Sequence, residues 1–127
     1  MTSLRSPLGH ARGLGSAKEG VAHWWAQRLT AVALVPLCLW FVISVIRLAG
    51  ADLPVLQGWL ASPGNAALMV LLILAVFHHA QLGLQVVIED YVHCEAKKIV
   101  GIVAVKFLAA VLAVFLVLSV IKIGFGV

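Results

Sequence analysis

The sequence of 127 residues predicts an all-α integral membrane protein with three transmembrane helices. Composition is the first reason: 63% of the residues are apolar and only 11% are charged. Soluble domains run nearer roughly half and a quarter. So few polar side chains cannot cover a water-facing surface, and the solvent for most of this chain is lipid. The second reason is that the apolar residues gather in three long runs, Trp24 to Leu48, Ala66 to Tyr91 and Ile99 to Phe125. Each reaches or exceeds the ~20 residues a helix needs to cross ~30 Å of hydrocarbon. The third is that hydrocarbon offers no partner to a bare backbone amide, so a spanning run must pair its amides internally, as a helix.

Residues 1–22, "MTSLRSPLGHARGLGSAKEGVA", are rich in Gly, Ser and basic residues, with Pro7 as a further breaker, and show no apolar period. They read as a flexible arm ahead of a membrane unit over residues 23–127. The arm lacks the short apolar core of a secretory signal, and its glycines and Pro7 spoil the amphipathic helix of a transit peptide. The first span carries Pro36 near its middle, which should kink it. The linker from Ala49 to Asn65 holds Pro54 and Pro63, three glycines and a single charge, Asp52, and reads as a loop. The second linker, Val92 to Val100, carries Lys97 and Lys98.

Basic residues mark the cytoplasmic ends of spans. Arg5, Arg12, Lys18 and Arg28 cluster near the start, and Lys97 and Lys98 sit in the second linker. The N-terminus and second linker are therefore expected in the cytoplasm, and the first linker and C-terminus outside. Arg47 and Lys122 at the outward ends weaken this bias without reversing it. Trp24, Trp25 and Trp59 suit an interfacial belt. The net charge of +4 is small and peripheral, so no basic face for nucleic acid is present. Cys38 and Cys94 lie in different segments and form neither a disulfide framework nor a metal-ligand spacing.

Ionisable residues inside a membrane are costly, and each is a functional candidate. In "FHHAQLGLQVVIEDYVH", residues 77–93, the chain places two adjacent histidines deep in the second span and an acidic-aromatic cluster at its end. At 100° per residue, Gly83 lies about 40° from His79, and Val86 and Asp90 about 20° from it. These four form one stripe. A glycine one turn past a histidine removes the side chain over which a flat ligand would lie, which suits a porphyrin whose iron the histidine holds. The competing reading is a histidine bonded to a neighbouring helix. His78 points about 100° aside and reads as packing or an interhelical bond. Tyr91, about 18 Å along the helix from His79, belongs at an interface. There its hydroxyl suits a headgroup or a quinone carbonyl, with Asp90 taking part in proton movement. Arg28 reads either as snorkelling or as a partner for an anion such as a propionate, with His23 a turn earlier able to join it. Lys106 reads as snorkelling.

His79, Gly83, Asp90 and Tyr91, at their spacing of four, eleven and twelve residues, resemble the second helix of the small hydrophobic membrane-anchor subunit of succinate dehydrogenase, respiratory complex II. "HWWAQRLTAVAL" is similar to the same family's first helix. The resemblance covers nearly all of the chain after residue 20. It implies a three-helix anchor that forms part of a haem-binding bundle with a partner anchor subunit. His79 would be one axial ligand of the iron of haem b, and the partner anchor would supply the other. Arg28 and His23 would lie near the propionates, with Gly83 beside the ring. Tyr91 and Asp90 would form part of the ubiquinone site, and none of these residues would be catalytic by itself. A flavoprotein subunit with FAD and an iron–sulfur subunit would oxidise succinate and pass electrons to ubiquinone, in the tricarboxylic acid cycle and aerobic electron transport. The expected location is the bacterial inner membrane, with the mitochondrial inner membrane as the alternative. Two other readings stand beside this one. A cofactor-free membrane scaffold or assembly protein needs no His79–Tyr91 spacing. A free-standing b-type cytochrome needs deep histidines on facing helices.

Overall fold

The computed structural model describes residues 4, 6–13 and 18–126, and all of their regular structure is helical. Five helices follow in order: α1 (Pro7–Ala11), α2 (Lys18–Arg47), α3 (Leu53–Ala61), α4 (Pro63–Tyr91) and α5 (Glu95–Phe125). Within α2, the stretch Gly20–Arg47 is apolar and long enough to cross a membrane, as are the whole of α4 and α5. At about 1.5 Å per residue, helices of this length exceed the ~30 Å hydrocarbon layer and project beyond it at their ends. The three-span membrane architecture expected from composition is therefore present.

Of the arm expected over residues 1–22, the described part holds α1 and the first turn of α2; the rest lies outside the described residues. The first linker is not a loop throughout, because α3 occupies its middle. Asp52 caps α3 by accepting a hydrogen bond from the Val55 amide at 3.2 Å. Pro54 sits in the first turn, where a missing amide costs nothing. α2 continues through Pro36. Proline there leaves the Val32 carbonyl without its usual amide, a defect a membrane helix tolerates when neighbours compensate.

α4 is the middle helix. It packs against α2 on one side and α5 on the other, and no Cα atom of α2 comes within 8 Å of one in α5 among the described residues. The spans thus form a row rather than a closed triangle. Burial follows this order: 17% of the most apolar window of α4 is buried, against 6% in each outer helix. The short α3 folds back against α5 and α4. Gly124 permits that contact, since a Cβ there would lie 2.8 Å from the Leu60 carbonyl oxygen. Close backbone approach through small residues is a usual way for membrane helices to pack. At the same end of the row, Trp40 and Trp59 stack with centroids 5.6 Å apart, and the Asn65 amide donates to the Trp59 carbonyl at 3.0 Å. These contacts tie α3 to α2 and α4.

The buried apolar side chains are few: Leu60, Ala66, Leu72, Ile73, Leu82 and Ala113. Large apolar side chains such as Leu29, Val32, Phe107 and Phe115 are exposed. In water this would be unstable, but in lipid it is the expected state of helices that need no hydrophobic drive to associate.

Candidate functional site

His79 sits near the middle of α4, half-buried against α2. Its Nδ1 lies 3.0 Å from the Thr30 hydroxyl oxygen. This is the only side-chain hydrogen bond between two spans among the described residues. The interhelical bond expected of a membrane histidine is therefore realised at His79, but through one ring nitrogen alone. Nε2 makes no hydrogen bond among the described residues, and it is not among their sealed-off polar atoms. An imidazole with one nitrogen held and the other accessible is equipped to ligate.

Gly83, one turn further along α4, faces open space: a Cβ added there would meet nothing within 4 Å. The stripe of His79 and Gly83 is thus clear of this chain's own side chains at Gly83. No group of three or more His, Cys, Asp or Glu side chains gathers into a metal site among the described residues. His79 is accordingly a single donor here, and a metal held by it needs further donors from outside the chain or from the group that carries the metal.

His23 lies in α2, seven residues and about 20° of helix phase before Thr30. It is half-buried, and its Nε2 is sealed from solvent without a hydrogen-bond partner among the described residues. A buried polar nitrogen in that condition is costly unless something supplies its partner. Arg28 differs. It lies about 160° around α2 from Thr30, is exposed, and stacks on the Trp24 ring with 5.4 Å from guanidinium carbon to centroid. It makes no ion pair among the described residues. His23 and Arg28 therefore do not meet across one face of α2.

Tyr91 closes α4 and is 77% exposed. Its hydroxyl has no hydrogen-bond partner among the described residues. Asp90 is exposed beside it. His79 and Tyr91 share the helix but sit at different depths, about 18 Å apart along the axis.

Another face of α4, about 80–160° around the helix from His79, carries a polar ladder that the sequence pattern alone did not single out. Gln85 donates to Glu89 at 2.9 Å, and Gln81 lies 3.4 Å from Gln85. The ladder runs from Glu89, in the last turn, into the span, and its spacing of four residues is the clue the sequence offers. It ends at a cavity of about 190 Å³ between α4 and α5, lined by His78, Gln81 and Lys106 among others. His78 also borders a cavity on the α2 side, lined by Thr30, Ala33 and Leu37 among others, so it lies on the open face between the two neighbours, whereas His79 bonds α2. Thr30 lies in the first-helix stretch "HWWAQRLTAVAL", but nothing in that stretch signals its contact with His79. It packs its hydroxyl back onto its own helix, against the carbonyls of Ala26 at 2.8 Å and Gln27 at 3.0 Å.

Three apolar spans in a row, with a ring nitrogen free at mid-span and a polar cluster at one end, define a multi-pass membrane anchor with unpartnered polar groups. The chain belongs to the succinate dehydrogenase/fumarate reductase transmembrane subunit family, whose model matches residues 2–120. The succinate dehydrogenase hydrophobic membrane anchor subunit of Rickettsia bellii is 33% identical over 117 residues, 92% of this chain and 94% of the relative. That of Paracoccus denitrificans is 35% identical over 108 residues, 85% and 84% of the two chains. The succinate dehydrogenase membrane anchor subunit of Reclinomonas americana is 34% identical over 95 residues, 72% and 79% of the two chains. No solved structure matches the chain.

Proposed function

We propose that this chain is the small hydrophobic membrane-anchor subunit of a succinate:ubiquinone oxidoreductase, and that it helps to hold haem b and ubiquinone. The observation that carries the haem assignment is His79, with Nδ1 engaged by Thr30, Nε2 unengaged, and an open Gly83 one turn away. The donor set fits: one accessible imidazole nitrogen at mid-span would hold the haem iron, with a further donor supplied by a partner anchor subunit. Haem b, when bound, supplies a one-electron carrier inside the membrane.

This chain's own residues have distinct tasks. His79 binds iron through Nε2. Gly83 leaves room for the ring. Arg28 offers its exposed guanidinium to a propionate, and His23 joins from another side of α2 once its ring turns the sealed Nε2 outward. At the membrane edge the Tyr91 hydroxyl donates a hydrogen bond to a quinone carbonyl and stabilises the negative charge that grows there on reduction. Asp90 holds or passes a proton at its carboxylate. Tyr91 is too exposed to bind quinone alone, so the pocket is completed by the iron–sulfur subunit and the partner anchor. The flavoprotein subunit, with FAD, and the iron–sulfur subunit, with its clusters, attach to the membrane through this end. The N-terminus is assigned to the cytoplasm and the C-terminus to the periplasm of a bacterial inner membrane.

The test is purification of the tagged chain from its native membrane, followed by a reduced-minus-oxidised spectrum and an assay of succinate-to-quinone reduction. A b-type band, bound flavin and quinone reductase activity are expected. A pure preparation with neither haem nor flavin refutes the proposal and favours a cofactor-free scaffold.

A further inference from the structure

We infer that Thr30 is a positioning residue for His79: it fixes the imidazole as the Nδ1–H tautomer and so keeps Nε2 free to ligate. The inference rests on the haem assignment above. Thr30 has one hydroxyl proton and three acceptors within reach: the Ala26 carbonyl at 2.8 Å, the Gln27 carbonyl at 3.0 Å and His79 Nδ1 at 3.0 Å. Carbonyl oxygens accept and cannot donate, so the short Ala26 contact requires the hydroxyl proton. With that proton directed to the backbone, the oxygen turns a lone pair to the imidazole. His79 Nδ1 then carries the hydrogen and donates it to Thr30, and Nε2 is left with its lone pair. The reverse arrangement, Thr30 donating to Nδ1, would put the hydrogen on Nε2 and block ligation. It would also leave two carbonyl contacts without a hydrogen.

The bond does two further things. It anchors the ring of α4 to the backbone of α2 through a side chain locked on its own helix, so the ring plane is set before any ligand arrives. It also raises the electron density of the imidazole, because a ring N–H that donates a hydrogen bond makes the other nitrogen a stronger donor. A stronger axial donor favours the ferric over the ferrous state.

The test uses the assembled complex with three substitutions. Thr30→Val keeps the shape and removes the oxygen, Thr30→Ala removes both, and Thr30→Ser keeps the oxygen. Val and Ala should move the haem midpoint potential in the positive direction. They should also speed haem transfer to apomyoglobin about 10–100-fold, the usual effect of losing an outer-shell partner. Ser should match the wild type in both readouts. A wild-type potential and release rate in Thr30→Val overturn the inference, as does a defect in Ala that Val repairs, since that pattern reports side-chain volume. Assembly with Ser but with neither Val nor Ala also overturns it, by placing the hydroxyl's role in folding. His79→Ala separates the two levels. Retention of the b-type band in that variant refutes the haem assignment itself. Its loss, combined with an unshifted Thr30→Val, refutes only the role of Thr30.

Discussion

Replacing Gly83 with leucine tests the haem face without disturbing the chain that presents it. Within this chain the change is benign. A Cβ at position 83 meets nothing within 4 Å, and leucine is a better helix former than glycine by roughly 0.5–1 kcal/mol. The anchor should therefore insert and accumulate as before. A porphyrin laid over the bare backbone would instead meet a branched side chain. Forcing extra methylenes into a filled site costs about 1–3 kcal/mol, or roughly 5- to 150-fold in affinity at about 1.4 kcal/mol per decade. The assay is the haem-to-flavin ratio of the purified complex, read beside the membrane level of the chain by immunoblot. The expected result is a normal chain level with haem well below the wild-type ratio. A full complement of haem with an unchanged band refutes the placement of the ring over Gly83. A fall in chain level before partner subunits are added refutes the claim that this face is open.

Other substitutions probe separate parts of the structure. Tyr91→Phe removes one hydroxyl donor to a developing charge, a loss of about 1.5–3 kcal/mol, so succinate-to-quinone turnover should fall roughly 10- to 150-fold. Reduction of an artificial acceptor by the same preparation should persist, and equal loss of both activities argues against a quinone role. Gly124→Ala pushes a methyl to 2.8 Å from the Leu60 carbonyl oxygen. It should open the α3–α5 contact at a cost of about 1–3 kcal/mol, read as a lower midpoint in thermal unfolding of the detergent-solubilised complex. An unchanged midpoint contradicts the close approach. A protease site fused after Val127 should be cut in right-side-out vesicles and protected in inverted ones. The opposite pattern reverses the proposed orientation.

The three spans were legible because lipid imposes one demand, length of apolar run, that a sequence displays directly. The C-terminal limits read from the sequence, Leu48, Tyr91 and Phe125, fall within one residue of the helix ends at Arg47, Tyr91 and Phe125. The starts do not: the helices begin at Lys18, Pro63 and Glu95, several residues ahead of the apolar runs. Apolarity reports the edge of the hydrocarbon, whereas a helix begins where its amides begin to pair, and a polar first turn is at home in the headgroups. α3 was hidden for a related reason. Its Gly58 and Pro54 look like breakers, yet proline in a first turn costs nothing. Asp52 capping the Val55 amide is visible only once the turn is formed. In the candidate site, the stripe of His79 and Gly83 was legible from helical phase on one helix. Thr30 was not, because nothing local pairs residues 49 apart in sequence.

The row arrangement explains why the site is only half built. In a closed bundle a mid-span histidine can find all its partners within the chain. Here α4 touches α2 with one edge and α5 with the other, and its two broad faces stay open. Thr30 engages a single nitrogen of His79, His23 keeps a sealed nitrogen without a partner among the described residues, and Gly83 borders open space. Lipid tails, with no donors or acceptors, can satisfy neither nitrogen. A second helical chain laid across the row, with a flat ligand between, would meet the accessible nitrogen of His79 and cover the glycine. The polar side chains further around the helix follow a different logic: Gln81, Gln85 and Glu89 bond one another in sequence along α4. One helix thus carries a self-satisfied polar face and an unsatisfied one. It is the unsatisfied face, with His79 at its centre, on which the proposed anchor function rests.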